Sequence, residues 1–353
     1  MIKKSAKSQV SQAVIGFSIG ILVAILYSCG KPETDREEKL LVIEPKYGYS
    51  SVFSEGLAAV ELGNKFGFID KKGKMVIKPQ FEIANRFCEG LAGVRVYGKW
   101  GFIDKSGKTV IKPQYDFSLH FHEGLAAIKM NNKWGFIDQT GKMVIEPVFE
   151  DVYDFSEGMA RFEHKEQYGF INKKGEIVIL PEFRDAQDFS EGLAAVQEGG
   201  DYTKKYGYID KTGKLVMDYK FSYAESFSEG MAKVVFETGG KIGFIDKTGK
   251  TIIEPQFESV LDFHDGLALF QSEGKFGFID KTGQVVIEPQ QGESYHFSEG
   301  LAYLKRGEKW GYIDKSGKIV IEPQFDFADN FAEGMACVQI KDKWGFIKNP
   351  SIK

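Results

Sequence analysis

Apolar and polar residues alternate in short stretches through residues 41–348, and nowhere in that span do apolar residues recur at the 3.6-residue spacing of a helix. The stretch KWGYIDKSGKIVIEPQF (residues 309–325) predicts a strand, a tight turn and a second strand, and it recurs with small changes at eight other places. Two glycine markers measure the repeat. An aromatic-Gly step runs from Gly67 to Gly345 at intervals of 34, 34, 34, 38, 36, 34, 34 and 34 residues. An acid-Gly-Leu/Met-Ala marker follows each such step by 23 residues, all eight times. Both length changes therefore fall in the other interval, at 192–207 and 230–243, which predicts a loop there that tolerates insertion.

Each unit reads as three strands. Strand A is GLAAV (Gly192–Val196, for example), strand B is KWGFID (Lys99–Asp104) and strand C is TVIKP (Thr109–Pro113), with the turn Asp-Lys-Ser-Gly-Lys between B and C. In that turn Gly supplies a positive φ, and Asp accepts backbone N–H bonds. The Pro near the end of strand C lacks a donor and is expected to end the ladder. Fixed glycines and a Pro in each unit exclude a helical repeat of the same length. Phe stands three places before the glycine of acid-Gly in all nine copies, Phe53 and Phe87 among them. Such constancy predicts a buried slot along a stacked core, with the aromatic beside the strand B glycine as a second row that admits Ile242. The fold class is all-β: nine tandem three-stranded antiparallel β-meander repeats of about 34 residues, forming a propeller-like ring or an open curved superhelical array. The chain enters with a strand C lacking its A and B (Leu41–Pro45) and leaves with an A and B lacking their C (Gly334–Ile347), so a closed ring would let the two ends complete one another. Nine blades exceed the usual ~4–8, which keeps the open array in play.

These markers together resemble the WG-repeat family of bacterial proteins over residues 41–348. Trp holds the named position at Trp100, Trp134, Trp310 and Trp344, with Phe66, Tyr168, Tyr206, Ile242 and Phe276 elsewhere. The resemblance implies an extracytoplasmic or surface interaction module, with no catalytic residues to carry over.

The first forty residues have another character. Lys3, Lys4 and Lys7 precede the uncharged, mostly apolar stretch Ala13–Leu26, which is short for a bilayer span and suits a signal peptide. It runs into Leu26-Tyr27-Ser28-Cys29, which resembles the lipobox of bacterial lipoproteins. The resemblance implies cleavage after Ser28, a diacylglyceryl group on the Cys29 thiol and a further acyl chain such as palmitate on its amine, which together anchor stably. Residues 1–28 are then the signal peptide, 29–40 the lipidated Cys and a polar tether, and 349–353 a short tail. An uncleaved signal anchor is the alternative, and either reading places the body outside the cytoplasm, lipid-anchored or membrane-anchored at the periplasmic face or cell surface.

Charge and chemistry narrow the function. The formal charge of −4 becomes −7 without residues 1–28, leaving no footprint for nucleic acid. The recurring acids, at Asp70 and Asp104 before the B–C turn and at Glu55 and Glu89 before Gly, read as caps of local N–H groups. Calcium ligands or paired catalytic carboxylates are the weaker reading, because a repeat makes the acids alike where catalysis needs them different. His120 and His122 have no repeating partner for a metal, and Cys88 and Cys337 are isolated substitutions. No cofactor, metal or catalytic group is expected. What departs from the repeat is the inserted loop Glu198–Lys205 and, in the same unit, a strand C that reads Met217-Asp218-Tyr219 without Pro. A partner footprint is expected at Tyr202, Lys204, Lys205 and Tyr219. A second departure puts Gln291-Gly292 where an aromatic usually follows Pro. The expectation is a non-enzymatic, lipid-anchored repeat scaffold that binds an envelope or surface protein; the alternative is a glycan- or cell-wall-binding module using exposed aromatics.

Overall fold

The computed structural model describes residues 40–199 and 204–352. The signal peptide, Cys29 and Tyr202 lie outside the described residues. Residues 41–352 form nine small antiparallel sheets arranged as a nine-bladed β-propeller. Blade 2 shows the plan: a short strand S (Ile83–Ala84), then A (Leu91–Val96), B (Lys99–Asp104) and C (Thr109–Tyr115), hydrogen-bonded in that order. The short strand S adds to the expected meander of three.

The ring is closed, so the open array is excluded. Leu41–Tyr47 serves as strand C of blade 9, pairing with Lys343–Lys348 in the register Ile43↔Phe346 and Tyr47↔Trp344. The incomplete ends are one blade divided between the termini.

Strand C corrects one expectation. Its Pro does not end the ladder: Phe102 pairs with Ile111 and Trp100 with Tyr115, so between these pairs one residue on B opposes three on C, and Pro113 sits in the bulge. A residue without an N–H suits a place where the ladder is already interrupted. The bulge carries strand C across the face of strand B at the repeat's most regular glycine. A Cβ on Gly101 would lie 2.5 Å from the Ile111 carbonyl oxygen and 2.6 Å from the Pro113 nitrogen. At the closure the same crossing puts Ile43 and Pro45 over Gly345, at 2.5 and 2.7 Å. Glycine is required there by the close approach of another backbone.

The core lies between blades. All nine invariant Phe residues are buried. Each meets the aromatic that follows the strand B glycine in the preceding blade: Phe87 meets Phe68 at 4.9 Å between ring centroids, Phe121 meets Phe102 at 4.8 Å, and Phe53 closes the circle on Phe346 at 4.7 Å. The ring after the glycine, rather than the Trp before it, is thus the direct partner of the invariant Phe. No blade can bury its own Phe, so burial of apolar surface drives the blades together.

Candidate interaction surface

Strand direction gives the propeller two unlike faces. The acid-Gly turns and the B–C turns lie at one end of the strands, and the A–B turns and the links between blades lie at the other. On the first face the acid of acid-Gly is left-handed, with φ of 52° at Glu55 and 53° at Glu89. Such a conformation costs a non-Gly residue about 1–3 kcal/mol unless something offsets it. What offsets it lies in the next blade, not in the local turn. Glu55 accepts the N–H of Gly90 at 3.0 Å, Glu89 that of Gly124 at 2.8 Å, and so on round to Glu333, which accepts that of Gly56 at 3.0 Å. A lysine of the next blade's B–C turn joins each latch in most blades, as Lys105 does with Glu55 at 3.0 Å and Lys71 with Glu333 at 3.0 Å. Burial alone would raise the Glu55 carboxyl, but the Lys105 ammonium and the Gly90 N–H hold it below its ordinary value. The acids before the B–C turn do cap locally, as expected: Asp104 Oδ1 accepts from Ser106 and Lys108. Asn172 makes the same pair of bonds, so charge is dispensable there.

The residues that differ from blade to blade meet at the blade junctions. His122 stands 3.6 Å from Asp154, and Arg161 3.3 Å from Asp188 while lying over the Tyr153 ring. Lys233, buried, pairs with Glu225 at 2.8 Å and Asp262 at 3.4 Å, and His296 contacts His264 and Asn330. Burial raises the carboxyl of Asp188 despite Arg161, and burial with Arg86 and His122 takes the His120 imidazole down to about 4. Arg161–Asp188 and Lys233–Asp262 occupy equivalent places in their repeats, as do His122–Asp154 and His264–His296. Among the described residues no group of three or more His, Cys, Asp or Glu could hold a metal ion.

The second face carries half-exposed rings. Where the link from one blade enters the next, Tyr49, Phe117, Tyr223 and Phe327 are each between 41% and 47% exposed. Phe117 bridges Trp100 and Trp134 at 5.6 and 5.9 Å, and Phe327 bridges Trp310 and Trp344 at 5.8 and 5.6 Å. A signal for them was present: aromatic-x-aromatic recurs at Tyr115-Asp116-Phe117, Phe325-Asp326-Phe327 and Phe221-Ser222-Tyr223, where the first ring ends strand C and is buried and the second begins strand S of the next blade and is half-exposed.

The WG containing repeat model matches nine times in succession, from residues 35–66 to 310–344. The chain belongs to the WG-repeat family. No curated protein matches it in sequence. Among solved structures, it is similar to a eukaryotic initiation factor at 12% identity and a TM-score of 0.58, over 81% of this chain and 89% of that one. Streptogramin B lyase matches at 18% identity and a TM-score of 0.36, over 66% of this chain and 92% of that chain. PorZ, a surface component of the type-IX secretion system of Porphyromonas gingivalis, matches at 11% and 0.32, over 88% and 52%. The first resemblance bears on the architecture alone, and the other two bear on nothing further.

The WG repeat of blade 5 holds the residues expected to meet a partner. Its inserted loop belongs to the A–B turn and so to the second face. There Lys204 and Lys205 are adjacent, and Lys205 Nζ reaches the Phe236 carbonyl of blade 6 at 3.1 Å. Tyr219 takes the place that Pro holds in the other blades and packs, half-buried, against the core between blades 4 and 5 that includes Phe170 and Phe189. Burial, helped by Glu198 and Glu182, raises its hydroxyl. The second insertion, in blade 6, opens a cleft of about 480 Å³ lined by Phe236, Gly240, Lys241 and Glu254. Glu198 and Lys204, the described ends of the first insertion, the second insertion and the half-exposed rings share one face.

Proposed function

We propose that the chain is a non-enzymatic scaffold, held on the outer side of a bacterial membrane by lipid at Cys29, that binds a protein partner through its second face. One observation carries this reading: each repeated acid already has a structural partner, whereas exposed rings and inserted loops gather at the opposite end of the strands. Tyr202, Lys204 and Lys205 of the longest insertion are the contacts assigned first, with Tyr219 supporting the loop. Glycan binding is the second reading, favoured by the Trp-Phe-Trp rows at the same face. Crosslinking on intact cells followed by mass spectrometry tests the first: an envelope protein joined through residues 198–205 is expected, and recovery of polysaccharide alone would overturn it. Cys29→Ala is expected to release the body from membranes; unchanged fractionation would remove the lipid anchor from the proposal.

A further inference from the structure

The chain enters and leaves the propeller at the first face. Leu41 begins strand C of blade 9 and pairs with Ile347, beside the B–C turns. Asn349 stands where the other blades carry the first turn lysine. Its side-chain N–H donates to the Glu299 carbonyl at 3.1 Å, as Lys315 Nζ does to that of Asp265 at 2.6 Å. The segment that carries Cys29 therefore joins the propeller at the first face, on an outermost strand. The acids of this face are engaged. All nine latch acids accept a glycine N–H of the next blade. Each turn Asp holds N–H groups of its own turn, as Asp246 holds those of Thr248 and Lys250. The lysines are less fully used. The first of each turn joins a latch in most blades, but Lys74, Lys108, Lys142, Lys214, Lys250 and Lys318, which end the turns, are exposed and make no ion pair among the described residues.

We propose that the first face lies against the membrane, with these lysines on anionic phospholipid headgroups, and that the second face is turned away from it. The proposal rests on the reading of Cys29 as the lipid anchor and adds an orientation to it. Reach separates the two faces. From Cys29 to Leu41 is twelve residues, which extend to at most about 40 Å. For the second face to meet the membrane, that segment would first have to run the length of strand C, seven residues or about 23 Å. With the first face down, the anchor lies beside the point where the chain enters, and none of the reach is lost. Charge agrees with reach. The pull of an anionic surface on an ammonium fades within a Debye length of about 8–10 Å, so lysines at turn tips feel it while the acidic remainder of the body does not. The rings and insertions of the second face are then left open to a protein partner.

Lysine acetylation by a membrane-impermeant reagent, read by peptide mass spectrometry on the acylated protein in detergent and then in vesicles, tests it. In phosphatidylcholine vesicles with about 30% phosphatidylglycerol, Lys108, Lys142, Lys214 and Lys250 are expected to react about threefold or more slowly than in detergent. Lys65, Lys165, Lys241 and Lys341, exposed on the second face, keep their rates. In pure phosphatidylcholine the protection shrinks. Equal rates on the two faces, protection of the second-face set alone, or protection indifferent to phosphatidylglycerol overturns the proposal. Coupling the unacylated mature chain through Cys29 to a maleimide lipid, in a Cys88→Ser background, repeats the measurement without the cell's acylation. A failure of orientation is thereby distinguished from a failure of the anchor, which the Cys29→Ala fractionation reads.

Discussion

Replacing Phe53 and Phe121 by alanine, one at a time, weighs the closure of the ring against an ordinary junction. Phe121 is 1% exposed and packs on Phe102 at 4.8 Å; Phe53 is 2% exposed and packs on Phe346 at 4.7 Å. Each truncation removes a fully buried ring from a slot whose walls are two sheets, and cores of that kind lose about 3–5 kcal/mol. About 0.5–1.5 kcal/mol of that belongs to the lost ring pair. The ring partners and burial match while the sequence distance does not: Phe102 is 19 residues from Phe121, whereas Phe346 is 293 residues from Phe53, and Phe121 alone lies on a strand, Phe117–His122. In a closed ring the two junctions are equivalent, so the two costs should agree within about 1 kcal/mol. Urea unfolding of the full chain, followed by tryptophan fluorescence and far-UV circular dichroism, measures both. A cost below about 1 kcal/mol for Phe53→Ala beside 3 or more for Phe121→Ala would mean that the first and last blades are not packed together, and the reasoning would fail.

Two further outcomes follow from the backbone and from the charges. Gly101→Ala forces a Cβ into the strand C backbone and should cost about 1–3 kcal/mol or more, whereas Gly90→Ala, with nothing within 4 Å of its Cβ, should cost only the left-handed penalty of about 1–2 kcal/mol. Thermal melts of the two variants check the order, and equal losses would refute the crossing-strand account. Acid should destabilise the propeller in two stages. His120 binds its proton more weakly folded (about 4) than unfolded (6.5), so stability falls as pH drops through that window. Glu55, Glu123, Glu191 and Glu333 titrate below the ordinary glutamate value of 4.5, so their contribution is full above 4.5 and lost as pH falls further. Scanning calorimetry from pH 7 to 3.5 should show His120→Gln shrinking the upper stage, to which His296, also lowered by burial, contributes as well, and leaving the lower stage in place; an unchanged profile in that variant would count against the assignment.

Much of the fold could be read from the chain because recurrence within it substitutes for comparison with relatives. A Phe that never changes across nine copies had to be buried, and the glycine of acid-Gly had to mark a turn. Its partner ring was harder to pick out. Phe102 and Trp100 flank the same glycine and face the same junction, and pattern alone does not say which of them meets the invariant Phe. The acid of acid-Gly was misjudged for a related reason: Glu55 and Asp104 both precede turns, yet Asp104 bonds its own turn, while the left-handed backbone at Glu55 directs the carboxylate to Gly90, as it does the shorter Asp265 to Gly300. Pro113 misled because a missing donor normally stops a ladder, and the bulge around it is a feature of two strands together. The half-exposed rings on the second face were legible in principle, through aromatic-x-aromatic, but the candidate surface was sought in an insertion instead.

Taken by itself, the order of residues determined the unit, its strands, its turns and the number of copies, since these depend on alternation and on the conformational freedom of a few glycines. It left ring and arc equally open. Closure depends on the accumulated angle between successive blades, and that angle is set by contacts between residues far apart in the chain: Phe53 on Phe346, Glu333 on Gly56, and Ile43 across Gly345. Nine small rotations must sum to a full turn, and only side chains already packed against the neighbouring blade fix the size of each.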